Sequence, residues 1–249
     1  MKKIIFAFII ILALAISSIW FFKLWSDSRE YDIAAFTTSL SGRSFRQIHN
    51  IKLAASKLDG YTIDTGQIFS LQKALGDITK ESGFHEAPSI VGGKVVDSTG
   101  GGLCQVSSTI YNASLLAGLE IIERHPHLFT VRSVGPGRDA AFANGSCDLK
   151  FKNNYSTAVK LRVYITGERL IAKITSFIKT DSKAEVNCEI LQTYEPSEKE
   201  AANSSGGING CRVRVFRTIY SDGKEPVTEK ISEDTYRPVS PKGFILQGQ

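Results

Sequence analysis

The stretch Gly100-Gly101-Gly102-Leu103-Cys104-Gln105-Val106-Ser107-Ser108-Thr109-Ile110-Tyr111-Asn112-Ala113 constrains this chain more than any other. Three consecutive glycines free the backbone for a sharp turn or a close approach. The residues that follow place Val106, Ile110, Ala113, Leu116 and Leu119 at helical spacing. A helix must therefore begin on a glycine turn, with Cys104 in its first turn. Unpaired N–H groups and the positive end of the helix dipole favour a thiolate there. Cys104 reads either as a nucleophile or as a small buried hydrophobe, and this segment alone leaves both open. The N–H groups around Gly101, Gly102 and Cys104 are candidate oxyanion donors, or only parts of a turn.

The rest of the pattern predicts an α+β domain: a long helix on an antiparallel sheet, preceded by one N-terminal transmembrane helix. A first helix is expected from Phe45 to Leu58, capped by Ser44. A helical turn is expected within Leu71 to Thr79, and a hairpin over Ser89 to Val96. The main helix is expected to run from Cys104 to about Arg124, stopped by Pro126. The period then becomes two, with strand candidates at Leu128 to Val134, Ala140 to Ala143, Asp148 to Phe151, Val159 to Ile165 and Leu170 to Phe177. Residues 181–249 read as a polar loop and a C-terminal β extension that packs on the main domain. Its hairpin runs from Cys211 to Tyr220 and from Pro226 to Ile231.

Lys2 and Lys3 precede an uncharged run from Ile4 to Phe22, about 28 Å of helix, close to the bilayer's hydrocarbon thickness. Residues 1–22 read as a signal-anchor with a cytoplasmic N-terminus, and a cleaved signal peptide around Ala13-Leu14-Ala15 is the rival. Residues 23–43 read as a linker and 44–180 as the main domain. That places a single-pass protein in the cell membrane, its domain on the extracytoplasmic side. The formal charge of +5 is scattered, with no basic stripe interleaved with aromatics, which argues against nucleic acid. Cys188 and Cys211 flank a polar loop that a disulfide could close. No CxxC pair or Cys/His spacing suggests a metal, and no cofactor is expected.

A cysteine nucleophile needs a base and a group that orients it. His125 and His127 lie beyond the far end of the expected helix, about 30 Å from the thiol. Their reach depends on a bend, a shorter helix or neighbouring strands. The turn Pro136-Gly137-Arg138-Asp139 could return Arg138 and Asp139 to the Cys104 end. Each candidate has a plainer role: helix capping for the histidines, turn formation for Asp139, a surface charge for Arg138, a solvated helix end for Glu123 and Arg124.

These residues carry a resemblance to the VanW-like family of bacterial envelope proteins, from about Arg46 to Ile174. It rests on Ile68-Phe69-Ser70, Gly83-Phe84 with Ala87-Pro88, Gly100 to Ala113, Glu123-Arg124-His125 with His127, Gly137-Arg138-Asp139-Ala140 and Asp148 to Asn153. The chain departs at Thr65-Gly66, where members often carry Pro-Gly, and at Leu128, where Ser is expected. The family is named for a gene that accompanies glycopeptide-resistance clusters. Some members resemble L,D-transpeptidases that form 3–3 peptidoglycan cross-links.

The resemblance implies that Cys104 attacks a stem tetrapeptide, with His127 as base and Asp139 orienting it. Arg138 would hold a stem carboxylate, and Gly101, Gly102, Gln105, Ser107 and Ser108 would line the substrate. His125, Glu123 and Arg124 are secondary candidates. The expected partner is thus the peptidoglycan stem peptide. A cysteine peptidase or amidase of wall peptides shares this nucleophile. A non-catalytic wall-binding or assembly module does not need it.

Overall fold

The computed structural model describes residues 29–91, 94–196 and 208–239, with Ser17 and Ser18. The expected membrane anchor lies outside this set. Among the described residues no helix is long and apolar enough to cross a membrane.

The core is a four-stranded antiparallel sheet in the order β1-β9-β8-β2, where β1 is Tyr31–Ser39, β2 is Tyr61–Ile63, β8 is Val159–Thr166 and β9 is Arg169–Ser176. Strict alternation sends Val159, Leu161 and Val163 of β8, with Leu170, Ala172 and Ile174 of β9, into the core. Two helices pack on the sheet: α1, Phe45–Leu58, and α3, Leu103–Leu116. A reciprocal capping box opens α1. Ser44 Oγ accepts from the Gln47 N–H, and Gln47 Oε1 accepts from the Ser44 N–H.

Around this body lie a short helix α2, Leu71–Leu75, and a hairpin of β4, Glu86–Val91, with β5, Lys94–Thr99. A small sheet has the order β3-β7-β6, with β3 at Ile68–Ser70, β6 at Glu120–Glu123 and β7 at Lys150–Lys152. A C-terminal sheet has the order β10-β11-β12, at Lys183–Tyr194, Gly210–Tyr220 and Val227–Tyr236. It docks on the main body as expected. Arg217 Nη1 donates to the carbonyls of Leu115 and Leu119, at 3.3 and 2.7 Å.

Several expectations are corrected. The main helix ends at Leu116, not near Arg124. Gly118 takes the left-handed conformation (φ 70°), and the Leu119 N–H closes back on the Ser114 carbonyl at 3.1 Å, a glycine C-terminal cap. The chain reverses there into β6. The expected linker 23–43 contains β1, an edge of the main sheet, and the polar stretch after residue 180 contains β10. Neither Leu128 to Val134 nor Ala140 to Ala143 forms a strand; only an isolated bridge joins Ala143 to Cys147. All four cysteines are free. Cys211 pairs in register with Thr193 and Cys188 with Val215, so the two cysteines lie about five residues, or about 16 Å, apart along the ladder. A disulfide needs Cα atoms within about 7 Å.

Candidate active site

The early end of α3 brings Cys104 and His127 together. A helix of 14 residues is about 21 Å long. The nine residues after Gly118 can span about 30 Å when extended, enough to return to the helix start. Twelve of the 14 residues of α3 are buried. Its polar side chains bond back to carbonyls one turn earlier: Ser108 Oγ to Cys104 O, Thr109 Oγ1 to Gln105 O, Asn112 Nδ2 to Ser108 O.

The glycines let the helix start seat against its neighbours. A Cβ on Gly101 would lie 2.4 Å from the Ala87 carbonyl oxygen, and Gly102 holds φ 105° as the N-cap. The Gly101, Leu103 and Gln105 amides donate to carbonyls of Ser98, Gly100 and Gly102. Among the described residues, the Gly102 and Cys104 N–H groups make no bond to a carbonyl preceding the helix.

Cys104 is half-buried. Its Sγ lies 3.4 Å from the Phe142 carbonyl oxygen and accepts from the Phe142 N–H at 3.5 Å. The His127 imidazole lies near enough to the thiol for each to shift the other's ionisation. Its ring nitrogen Nδ1 meets Asp139 Oδ2 at 2.6 Å, and the His127 backbone N–H donates to the same oxygen at 2.7 Å. Nε2 is therefore the nitrogen that faces sulfur. Imidazole and carboxylate are bonded directly, and the thiol responds to the charge of the imidazole.

Electrostatics favour the ion pair. Burial disfavours the Cys104 thiolate, but the hydrogen bond and charge of His127, with the Phe142 N–H, outweigh it and lower the thiol's pKa. Burial likewise opposes the imidazolium, and the bonds to Asp139 and Cys104 overcome it, so His127 is pushed up to about 9. Asp139 is 1% exposed. Burial raises its pKa, yet His127 and Arg124 hold it below its ordinary value.

Arg124 is the second support of Asp139. Its Nε donates to the Asp139 carbonyl at 2.6 Å, Nη2 to Oδ1 at 3.0 Å, and Nη1 to Asp234 Oδ2 at 2.6 Å. Tyr236 OH donates to Asp139 Oδ1 and accepts from the Gly137 N–H at 2.8 Å. Asp234 and Tyr236 come from β12, so the C-terminal extension completes the site. Sequence reasoning missed both, since nothing local marks them. A cavity of about 340 Å³ on the far side of Arg124 is lined by Tyr111, Arg217, Glu229 and Asp234, among others, and not by Cys104 or His127.

The remaining candidates fall elsewhere. Arg138 Nε bonds Asn112 Oδ1, and its Nη1 lies 3.4 Å from the Val186 carbonyl. His125 pairs with Glu123 at 3.0 Å, and Glu123 with Lys150 at 2.6 Å, in a partly exposed cluster. Hydrogen bonds from Lys150 and His125 hold the Glu123 carboxyl down at about 2. Ser108 Oγ accepts from the Ala140 N–H at 3.0 Å, fixing the loop behind Asp139. Ser107 is fully buried, its hydroxyl without a partner among the described residues. Gln105 is taken up by Arg43, Thr38 and Ser39. Among the described residues no three His, Cys, Asp or Glu side chains converge to hold a metal ion.

The site thus has the architecture of a cysteine–histidine–aspartate centre on an α+β scaffold. The family model described as VanW-like protein matches residues 46–175, and the chain belongs to that family. It is 37% identical over 144 residues to the uncharacterized protein YoaR of Bacillus subtilis (strain 168), covering 58% of this chain and 46% of that protein. It is 28% identical over 133 residues to the vancomycin B-type resistance protein VanW of Enterococcus faecalis (strain ATCC 700802 / V583), covering 51% of this chain and 48% of that one. The chain spans about half the length of both curated relatives. No solved structure matches it.

Proposed function

We propose that this protein is a cysteine acyl transferase of the L,D-transpeptidase type acting on peptidoglycan stem peptides. The observation that carries the reading is a histidine, His127, held by the buried Asp139 carboxylate and acting on the Cys104 thiol. A structural cysteine has no use for a histidine whose other nitrogen is held by a buried carboxylate. The envelope setting comes from the family and from the resistance named for one relative. The apolar run after Lys2 and Lys3 adds a membrane anchor, with the domain outside the cytoplasm.

In this mechanism the Cys104 thiolate attacks the carbonyl between stem residue 3 and the terminal D-Ala. The N–H groups of Cys104 and Gly102 receive the oxyanion. His127 Nε2 passes its proton to the leaving amine, D-Ala departs, and a thioacyl-enzyme remains. The side-chain amine of a second stem's residue 3 gives a proton to Nε2 and attacks the thioester, forming the 3–3 amide and freeing the thiolate. Asp139 is a positioning residue: it fixes the tautomer and stabilises the imidazolium.

The test is incubation of the full chain in detergent with purified disaccharide-tetrapeptides, followed by mass spectrometry beside Cys104→Ala. The expected products are released D-Ala and a cross-linked dimer, both absent with the variant. Shortened monomers without dimers would make it a hydrolase. No product from folded protein would leave a wall-binding or assembly role.

A further inference from the structure

Arg43 carries a charge that its surroundings leave unpaired. It stands in the turn between β1 and α1, and its Nε donates to Gln105 Oε1 at 2.6 Å. Gln105 cannot swing away, because its Nε2 donates to Thr38 Oγ1 at 2.9 Å and to the Ser39 carbonyl at 2.8 Å. Gln105 directly follows Cys104 and is 3% exposed. The side chain that holds the guanidinium is thus itself rigid and belongs to the residue next to Cys104 in the chain. The charges of Cys104 and Arg132 both act on Arg43, and burial lowers its pKa. A desolvated cation calls for an anion. Arg124, Arg162, Arg212, Arg214 and Arg217 each have a carboxylate, but among the described residues Arg43 has none. The single side-chain hydrogen bond described for Arg43 uses Nε, which leaves its terminal fork for a ligand.

We infer that Arg43 is the receptor for the free α-carboxylate of the residue that leaves when Cys104 attacks. This rests on the nucleophilic role proposed above. In a peptide acid cut before its last residue, that carboxylate lies three bonds from the scissile carbonyl carbon. Each further residue moves it about 3.3–3.6 Å away. A guanidinium fixed next to the thiol therefore selects substrates that end one residue beyond the scissile bond, and disfavours extended or amidated ends. Arg138 is held by Asn112 through Nε and lies against the Val186 carbonyl through Nη1.

The test compares alkylation of Cys104 by iodoacetate and by iodoacetamide, read by peptide mass spectrometry on the full chain. The two reagents share a mechanism and differ in the carboxylate. A changed thiol pKa affects both rates alike and cancels in their ratio. Arg43→Gln is expected to lower the iodoacetate-to-iodoacetamide ratio about tenfold, the scale of one charge-assisted hydrogen bond, whereas Arg138→Gln leaves it unchanged. A ratio for Arg43→Gln within about twofold of wild type overturns the inference. Should that variant not fold, wild-type protein suffices. L-Lys-D-Ala is expected to protect Cys104 from iodoacetamide at a concentration at least about tenfold lower than its C-terminal amide does, and equal protection overturns the inference. Failure of the nucleophile itself shows in the absolute rate. Wild-type Cys104 reacting with iodoacetamide more slowly than free cysteine at neutral pH removes both readings.

Discussion

Replacing His127 with glutamine tests the centre most directly. In the native site, burial of the thiol is overcome by the hydrogen bond and charge of His127, aided by the Phe142 N–H. Glutamine deletes the charge and leaves the burial. The remaining balance returns the thiol at least to its ordinary pKa of about 8.5, where about 3% is thiolate at pH 7. Going from a fully formed thiolate–imidazolium pair to an ordinary thiol lowers the thiolate population at pH 7 by at most about 30-fold. A thiolate of higher pKa is intrinsically more nucleophilic, which offsets part of this and brings the fall in rate nearer to tenfold.

The assay is the pH dependence of iodoacetamide alkylation at Cys104, resolved by peptide mass spectrometry. Cys188 and Cys211, whose thiols burial pushes up, serve as slow internal references. The expected result is an alkylation profile whose midpoint moves to higher pH in His127→Gln. An unchanged midpoint, or a wild-type midpoint already at about 8.5, would refute the ion-pair argument. The sign for His127 runs the other way. Its pKa is raised, so the proton needed by a leaving amine is present below about 9 and lost as pH rises through it. Turnover that depends on that proton falls on the alkaline side.

Two further outcomes concern the scaffold. Tyr236→Phe removes a donor from Asp139 and strands the buried Gly137 N–H. The expected loss is about 1–3 kcal/mol, on the order of 2–4 °C in Tm per kcal/mol for a chain of this size, read by thermal denaturation; an unshifted Tm would dismiss the contribution of β12. Gly101→Ala drives a Cβ to 2.4 Å from the Ala87 carbonyl, whereas Gly135→Ala meets nothing within 4 Å. The first is expected to displace the start of α3 and cost most of the folded yield, the second to be neutral, with circular dichroism and soluble expression as the readouts.

What the sequence made legible follows from how local each signal is. Helix α1 was readable because Ser44 and Gln47 write both halves of its cap within four residues. Strands β8 and β9 were readable because Val159, Leu161 and Val163 in one, and Leu170, Ala172 and Ile174 in the other, alternate with less buried residues. Strand β10 alternates polar and apolar residues from Lys183 to Ile190, but it is largely exposed and continues into a polar tract that reads as a loop. Strand β1 sits at a sheet edge, where Thr37, Thr38 and Ser39 imitate a linker. The end of α3 was misplaced because apolar spacing continues through Leu119, while Gly118 alone stops the helix. That one residue changed the active-site argument: with a helix running to Arg124, His127 stands at the wrong end. Cys104, His127 and Asp139 are candidates from residue chemistry and spacing, and the family resemblance supplies their joint roles. Tyr236 lies 97 positions from the carboxylate it supports, and no short pattern can encode that contact.

The completeness of the Asp139 shell also decides what this carboxylate can do. Oδ1 accepts from Arg124 Nη2 and Tyr236 OH, and Oδ2 accepts from the His127 N–H and Nδ1, so all four lone-pair sites are filled. A carboxylate so enclosed, with its pKa held down, has no site at which to receive a substrate proton. It cannot serve as a general acid or base. Its charge is fully buried, and such charges are stable only when every partner is present. The partners come from two separate parts of the chain, the segment after β6 and β12. The orientation of His127 is therefore coupled to the docking of the C-terminal sheet through Asp234 and Tyr236. The extension is part of what holds the imidazole against the thiol, although the family match ends at residue 175.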